Sequence, residues 1–166
     1  MSLEIFVNAY RTPVLVELPS YDEPPAAERE AAFQTLTISW KQVLQGAADR
    51  DLRQAKIMAA AVHPVMKSSR GPYVQRISVG RARNSDISLD QPHISKFHAY
   101  FTQEADGDRY FLTDPGSKNG VLINETRLEV NRPYPLGPEE RIAFGPYWFL
   151  YLSPPAFHEF LLSYAR

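Results

Sequence analysis

The feature that most constrains the fold is the stretch from Gly80 to Asn124, in which short apolar runs alternate with polar loops. Within each run the apolar side chains fall at every second position, as in Phe97, Ala99 and Phe101. This period of two is typical of a β-strand that buries one face. The segments between the runs are rich in Arg, Ser, Lys, Asn and Gly. Loops at the end of a β-sandwich expose such side chains, so we expect the chemistry of this chain in its loops.

Further apolar runs predict that the chain is nearly all β from Tyr73 onward. Many short strands at this spacing favour a β-sandwich or a barrel. The segment 57–66 stands where a first strand is expected, although the composition of residues 47–61 also suits a helix. The predicted strands are 73–79, 86–89, 97–102, 109–114, 120–123, 141–145 and 147–152.

The two ends of the chain have helical patterns. Residues 3–10 suit a short helix and 12–18 a short strand, and 26–45 carries an apolar stripe that predicts an amphipathic helix. A second stripe runs through Phe157, Phe160, Leu161 and Tyr164. We therefore predict an extension over 1–55 with a short strand and an amphipathic helix, a β-domain over 56–153, and a helix over 154–166.

Charge and composition exclude several classes of function. The 166 residues carry a net charge of -1, so the chain as a whole has no electrostatic reason to bind nucleic acid or an anionic membrane. One stretch is locally cationic and contains no acid, with Lys67, Arg70, Arg76, Arg81 and Arg83. Such a patch on a near-neutral protein suits a small anion; a solvated basic loop is the alternative that stays open.

Cysteine usage and hydropathy bound the remaining possibilities. The chain has no cysteine, which excludes disulfides, thiolate zinc sites and a Cys nucleophile. No apolar run approaches the roughly 20 residues of a membrane span. The start, MSLEIFVNAYRT, lacks the basic region of a secretory signal. A cytoplasmic protein without cofactor is the expectation.

The polar loops contain an ordered set of motifs. In sequence they are Gly80-Arg81, Ser95-x-x-His98, Asp114, Ser117-x-Asn119-Gly120 and Asn124. Together they resemble the forkhead-associated (FHA) domain, over roughly 57–152. The resemblance implies a mainly β fold, a sandwich of two twisted sheets, here with an N-terminal α-rich extension and a short C-terminal helix. It also implies binding of phosphothreonine peptides through loops at one end of the sandwich.

The same resemblance implies roles for individual residues. Arg81 would pair with the phosphate and Ser95 would donate a hydrogen bond to it, with Lys96 and Lys118 at flanking positions. Asn119 would hold the main chain of the peptide. Four residues would support the site without touching the phosphate: Gly80, His98, Gly120 and Asn124. No metal ligand and no catalytic residue is implied.

Physical chemistry suits these roles. A phosphothreonine carries about -1.5 to -2 charges at neutral pH and three strong acceptor oxygens. Arg81 is permanently charged and can bind two of those oxygens in parallel. Charge-assisted hydrogen bonds contribute about 1.5 to 3 kcal/mol each, so two or three of them could account for micromolar binding.

Three positions depart from the usual pattern of the family. Lys118 replaces a small hydroxyl residue and could strengthen the attraction of phosphate or alter which peptide is accepted. Val121 replaces a threonine and suits a strand. Glu125 follows Asn124 where glycine is usual, which puts a tight turn in doubt.

The polar residues also allow other interpretations. Asp86 and Asp114 stand beside predicted turns, where Asp accepts hydrogen bonds from backbone amides, so we prefer a structural role for both. Ser95 and His98 could form a hydrolase dyad, but no Gly-x-Ser-x-Gly elbow and no orienting group accompany them.

The sequence therefore predicts a non-catalytic module that docks onto phosphothreonine-containing proteins in kinase signalling, without nucleic acid or membrane as partner. The first alternative is an interaction or assembly module on the same scaffold that does not depend on phosphate. The remote alternative is the Ser/His hydrolase. The oligomeric state, the peptide motif and the kinase stay open.

Overall fold

Two antiparallel-rich β-sheets enclose the core of the molecule. The structure, a computed structural model, describes residues 2–18, 60–107 and 109–164. The six-stranded sheet has the order β2-β1-β11-β10-β7-β8, and the five-stranded sheet has the order β4-β3-β5-β6-β9. The elements are α1 Leu3–Ala9, β1 Val14–Glu17, β2 Val62–Pro64, β3 Ile77–Gly80, β4 Ile87–Ser88, β5 Ala99–Gln103, β6 Tyr110–Thr113, β7 Val121–Ile123, β8 Thr126–Arg127, β9 Tyr134–Pro135, β10 Glu139–Phe144, β11 Tyr147–Leu152 and α2 Pro154–Tyr164.

The predicted alternation of side chains builds this core. In β5 the side chains of Ala99 and Phe101 are fully buried, whereas those of Tyr100 and Thr102, which alternate with them, are only partly covered. Phe101 of one sheet and Phe144 of the other belong to the same buried cluster. Apolar burial contributes about 25 cal/mol per Å², so this shared cluster is the main force that holds the sheets together.

The ends of the chain join the sandwich. β1 lies between β2 and β11, with Leu15 opposite Tyr151 of β11 and His63 of β2. Helix α1 packs against α2, where the rings of Phe6 and Phe157 have their centroids 5.7 Å apart. The strand that we predicted in the extension is thus part of the six-stranded sheet. The boundaries after residues 55 and 153 stay predictions.

The mainly β fold of two sheets is confirmed, with small helices at its ends. The predicted helix 26–45 and most of the ambiguous stretch 47–61 lie outside the described residues. The prediction missed β8 and β9, because two-residue strands are too short to show an alternating pattern. Among the residues that the structure describes, no helix has the length and hydropathy to cross a bilayer.

Candidate functional site

Backbone hydrogen bonds join the loop after β3 to the loop before β5. The amide of Arg81 donates to the carbonyl of Ser95 at 3.0 Å, and the amide of Ala82 donates to the carbonyl of Lys96 at 3.2 Å. The loop after β6 reaches the same place, since the amide of Lys118 donates to Ser95 Oγ at 3.1 Å. The structure thus brings together the three loops that contain Arg81, Ser95 and Asn119.

Gly80 permits the close approach of the first two loops. A Cβ at this position would collide with the carbonyl oxygen of Lys96 and lie 3.1 Å from the Cα of Phe97. Both neighbours are backbone, which cannot swing away as a flexible side chain could. The absence of a side chain at Gly80 is therefore what lets Arg81 and Ser95 lie side by side.

Three cations form what we call the basic rim: Arg81, Lys96 and Lys118. All three residues are exposed. Their side chains make no hydrogen bond or ion pair within the described part of the chain, so their charged groups are free to meet a ligand. An exposed cation without an acidic partner keeps its full attraction for an anion.

The hydroxyl group of Ser95 has an available proton. Ser95 is half-buried, and its Oγ accepts the hydrogen bond from the amide of Lys118. A hydroxyl can accept and donate at once, so the Ser95 O–H can still donate to a ligand oxygen. The hydrogen bond from the amide of Lys118 also fixes the position of Ser95 Oγ.

His98 connects two of the loops from inside the protein. Its side chain is fully buried; Nδ1 accepts a hydrogen bond from the amide of Ser95 at 2.9 Å, and Nε2 lies 3.0 Å from the carbonyl oxygen of Gly120. Burial lowers the pKa of His98 below 6.5, although the bond to Gly120 and the charge of Asp114 oppose that shift. The neutral ring therefore donates from Nε2, and neither nitrogen is left to accept a proton from the hydroxyl of Ser95.

Asn119 is anchored on the neighbouring loop. Its Nδ2 donates to the carbonyl of His93 at 2.7 Å, and Asn119 itself is exposed. The next residue, Gly120, has a φ of +85° and donates its amide to Ser117 Oγ at 3.0 Å. One amide proton and the carbonyl oxygen of the Asn119 side chain remain for a peptide backbone.

Asp114 stabilises the turn before Asn119. Its Oδ1 accepts the amides of Gly116 at 2.9 Å and Ser117 at 2.7 Å, and its Oδ2 accepts the hydroxyl of Ser117 at 3.0 Å. Asp114 thus accepts backbone amides at a turn, as the sequence predicts.

Asp86 holds the loop after β3 from inside. Its carboxylate accepts five hydrogen bonds, from Lys67 Nζ, from the amide and hydroxyl of Ser68, and from the amide and hydroxyl of Ser78. We call these four residues the Asp86 cluster. Burial raises the pKa of Asp86, but the hydrogen bonds outweigh it and bring the pKa down to about 2. The carboxylate is ionised at neutral pH, and its charge is neutralised within the cluster.

The predicted cationic stretch accordingly divides into two parts. Lys67 forms an ion pair with Asp86 at 2.8 Å, and the guanidinium of Arg76 lies over the ring of Tyr100 at 4.5 Å. Both are committed to the scaffold. Arg81 and Arg83 are exposed and have no such partner among the described residues.

Asn124 is not joined to the three loops by any hydrogen bond that the described residues make. Its side chain donates to Glu140 Oε2 and accepts the amide of Arg141 at 3.0 Å. Asn124 and Glu125 have φ values of 53° and 93°, so the turn between β7 and β8 forms despite the glutamate. A non-glycine residue at such a φ is strained.

Two residues beside the site were not singled out in the sequence. His93, at a φ of 70°, supplies the carbonyl that anchors Asn119. The guanidinium of Arg127 lies against Gly120, since a Cβ there would be 2.7 Å from its central carbon. Only a prediction of the β7–β8 hairpin could have placed Arg127 next to Gly120.

Comparison with known proteins agrees with this geometry. Residues 77–145 match the family model of the FHA domain. The chain is 35% identical over 88 residues to Smad nuclear-interacting protein 1 of Mus musculus, which covers 44% of the chain and 23% of the relative. It is 38% identical over 73 residues to the DNA damage response protein kinase DUN1 of Saccharomyces cerevisiae. This alignment covers 41% of the chain and 14% of the kinase.

Among solved structures, the FHA domain of the CT664 protein from Chlamydia trachomatis is similar in fold. The TM-score is 0.51 at 20% identity, over 86% of this chain and 97% of that domain. The chain matches less than a quarter of the length of the two curated relatives, so the family describes a domain and not the whole of those proteins. The segment that matches the FHA family model, residues 77–145, contains β3 to β10 and every loop of the site.

Proposed function

We propose that this protein is a non-catalytic reader of phosphothreonine, which docks onto phosphorylated partner proteins in kinase signalling. The observation that carries the proposal is the basic rim, whose three cations have no described partner and stand on loops that hydrogen bonds join at Ser95. The match of residues 77–145 to the FHA family model supports the same conclusion.

The chemistry of the ligand fits the rim. A phosphate group needs permanent positive charge and directed donors, and it offers several acceptor oxygens. Arg81 would bind two of them, the hydroxyl of Ser95 a third, and Lys96 and Lys118 would add charge at the edge. Asn119 would hold the peptide backbone beside the phosphate. Different residues would therefore recognise the phosphate and the peptide backbone.

Two features favour a binding module over a hydrolase. The imidazole of His98 is fully buried, and its nitrogens face the amide of Ser95 and the carbonyl of Gly120. His98 therefore cannot act as a general base toward the hydroxyl of Ser95. The assembly module that ignores phosphate remains the competing function, and a cytoplasmic location remains a prediction of the sequence.

Fluorescence polarisation with a library of phosphothreonine peptides tests the proposal. The full chain should bind phosphorylated peptides and not their dephosphorylated forms. Arg81→Ala should lose roughly tenfold or more in affinity, because a charge-assisted bidentate contact contributes about 1.5 to 3 kcal/mol. Equal binding with and without phosphate would favour the assembly module instead.

Arg83→Ala is the matched control. Arg83 is also an exposed arginine of the loop after β3, without a partner in the described part of the chain. Its loss changes the net charge equally but should alter affinity by less than about threefold, since an exposed, screened charge contributes little. If both variants lost affinity equally, binding would depend on general charge and not on a phosphate site.

The charge of the ligand gives an independent check. The second ionisation of a phosphothreonine has a pKa of about 6, so affinity should fall as the pH drops below that value. An affinity that stays constant down to pH 5 would count against recognition of the dianion.

A further inference from the structure

A cleft of about 250 Å³ lies beside the basic rim and shares only Lys96 with the proposed phosphate contacts. Its wall includes the rings of Tyr73 and Phe97, the loop residues Asn84 and Ser85, and Lys96 of the rim. The volume is too large for a water molecule and matches the space that one or two amino-acid side chains need.

The polar groups of the cleft are unpaired donors. Ser85 is only 3% exposed, yet its hydroxyl forms no hydrogen bond within the described residues. The exposed side-chain amide of Asn84 and the ammonium group of Lys96 are also without a described partner. The hydroxyl oxygen of Ser85 is not sealed from solvent, so this group is free to donate to a ligand that enters the cleft.

No acidic residue is among the described residues that line the cleft. Asp86 is the nearest acid along this loop; its side chain has no exposed surface, and it is saturated by the Asp86 cluster. The hydroxyl of Ser78, which also lines the cleft, already donates to Asp86. The cleft therefore presents Ser85, Asn84 and Lys96 as donors and one net positive charge.

The aromatic wall of the cleft favours a longer acidic side chain over a shorter one. The rings of Tyr73 and Phe97 have centroids 5.1 Å apart, and Phe97 stacks on Tyr100 at 5.9 Å. Such rings bury methylene groups well, and each CH₂ removed from water improves affinity by about fourfold. A glutamate has one more methylene than an aspartate, and its carboxylate could accept from all three donors.

From these contacts we infer that the cleft is a subsite for an acidic side chain, best a glutamate, of the same peptide whose phosphothreonine binds the basic rim. The inference rests on the proposed function. Ala82 lines the cleft and directly follows Arg81. An extended peptide advances at most about 3.5 Å per residue, so the glutamate lies within about three positions of the phosphothreonine.

An oriented peptide library tests the subsite. The full chain is immobilised and incubated with peptides that have a fixed central phosphothreonine and random flanking residues, and the retained peptides are sequenced. Enrichment of glutamate at one position within three of the phosphothreonine is expected. Enrichment of leucine or phenylalanine there, or no preference, would overturn the inference while leaving the proposed function intact.

Matched peptides then measure the effect. With Glu, Gln or Ala at the selected position, fluorescence polarisation should give the Glu peptide about fivefold tighter binding than the Gln peptide, in line with a partly exposed charge pair. Asn84→Asp places a like charge in the cleft and should remove that ratio; it should weaken binding of the Ala phosphopeptide by a smaller factor than binding of the Glu phosphopeptide. Ser85→Ala should reduce the ratio.

Asn8→Asp is the control for charge, because it makes the same substitution at an exposed asparagine of α1. It should leave the ratio unchanged. A ratio that Asn84→Asp and Asn8→Asp leave equally intact would overturn the subsite. Failure of every phosphopeptide to bind would instead overturn the proposed function, and the subsite with it.

Discussion

Asp86 and Arg81 lie on the same loop after β3, and their charges are in opposite situations. The side chain of Asp86 has no exposed surface and accepts five hydrogen bonds from the Asp86 cluster. The side chain of Arg81 is exposed and has no described partner. The charge of Asp86 stabilises the loop, whereas the charge of Arg81 remains available to a ligand.

This difference separates stability from binding within a single loop. If Asp86 formed an ion pair with Arg81, the acid would neutralise the charge that Arg81 needs to attract a ligand. Here Lys67 neutralises the acid instead, at 2.8 Å, and only the backbone of Arg81 is fixed, by its bond to Ser95. Substitutions at Asp86 and Arg81 should therefore affect different measurements.

Asp86→Asn should have the largest effect on stability. The amide cannot accept as many hydrogen bonds, and it leaves the ammonium group of Lys67 without its counter-charge, so we expect a loss of about 3 kcal/mol in the free energy of unfolding. Urea denaturation at pH 7 measures this. Arg81→Gln, the partner substitution, should change the same quantity by less than about 0.5 kcal/mol. Similar losses in both variants would abolish the distinction.

Acid should remove part of the contribution of Asp86. The pKa is about 2 in the folded state against an ordinary value of 3.8, so the folded protein releases this proton more readily than the unfolded chain. The stabilisation is complete above about pH 4 and is lost as the pH falls toward 2, an amount of about 2 kcal/mol. Unfolding of wild type and Asp86→Asn at several pH values should show their difference narrowing across that window. A constant difference would contradict the assigned pKa.

His98 should produce a smaller effect at milder pH and of the same sign. Burial lowers its pKa below 6.5 in the folded state, so the unfolded chain binds the proton first as the pH falls. Stability is then complete above pH 6.5 and declines below it, by at most about 1.4 kcal/mol per pH unit. Urea denaturation between pH 7.5 and 5.5 should show a steeper decline for wild type than for His98→Gln. Parallel declines would mean that His98 does not titrate in this range.

The sequence was informative where a local pattern decides the structure. Alternation of apolar residues predicted β5, β6 and β11, because period two is written in adjacent residues. Asp114 was predicted to accept backbone amides, and its partners Gly116 and Ser117 are two and three residues away.

Long-range partners were beyond the reach of such patterns. The cationic stretch looked uniform, but Lys67 meets Asp86 across 19 positions, and Arg76 lies over Tyr100 of another strand. Arg127 lies against Gly120 only because the chain reverses at Asn124 and Glu125, two residues with positive φ that no glycine announces. Tertiary contacts therefore decided which cations are free.

Lys118 offers the finest test of the contrast between bound and free charges. Its amide donates to Ser95 Oγ, a bond that any side chain at this position preserves, while its ammonium group is part of the basic rim. Lys118→Gln should leave the free energy of unfolding unchanged and weaken binding of a phosphothreonine peptide by about threefold at low salt. The loss should shrink as salt screens the charge, with a Debye length of about 8 Å at physiological ionic strength. Lys118→Arg keeps the charge and should bind as wild type does. A loss for Lys118→Gln that persists in high salt would mean that the lysine makes a direct, desolvated contact with the phosphate. Lys118 would then be a phosphate ligand and not an exposed charge at the edge of the site.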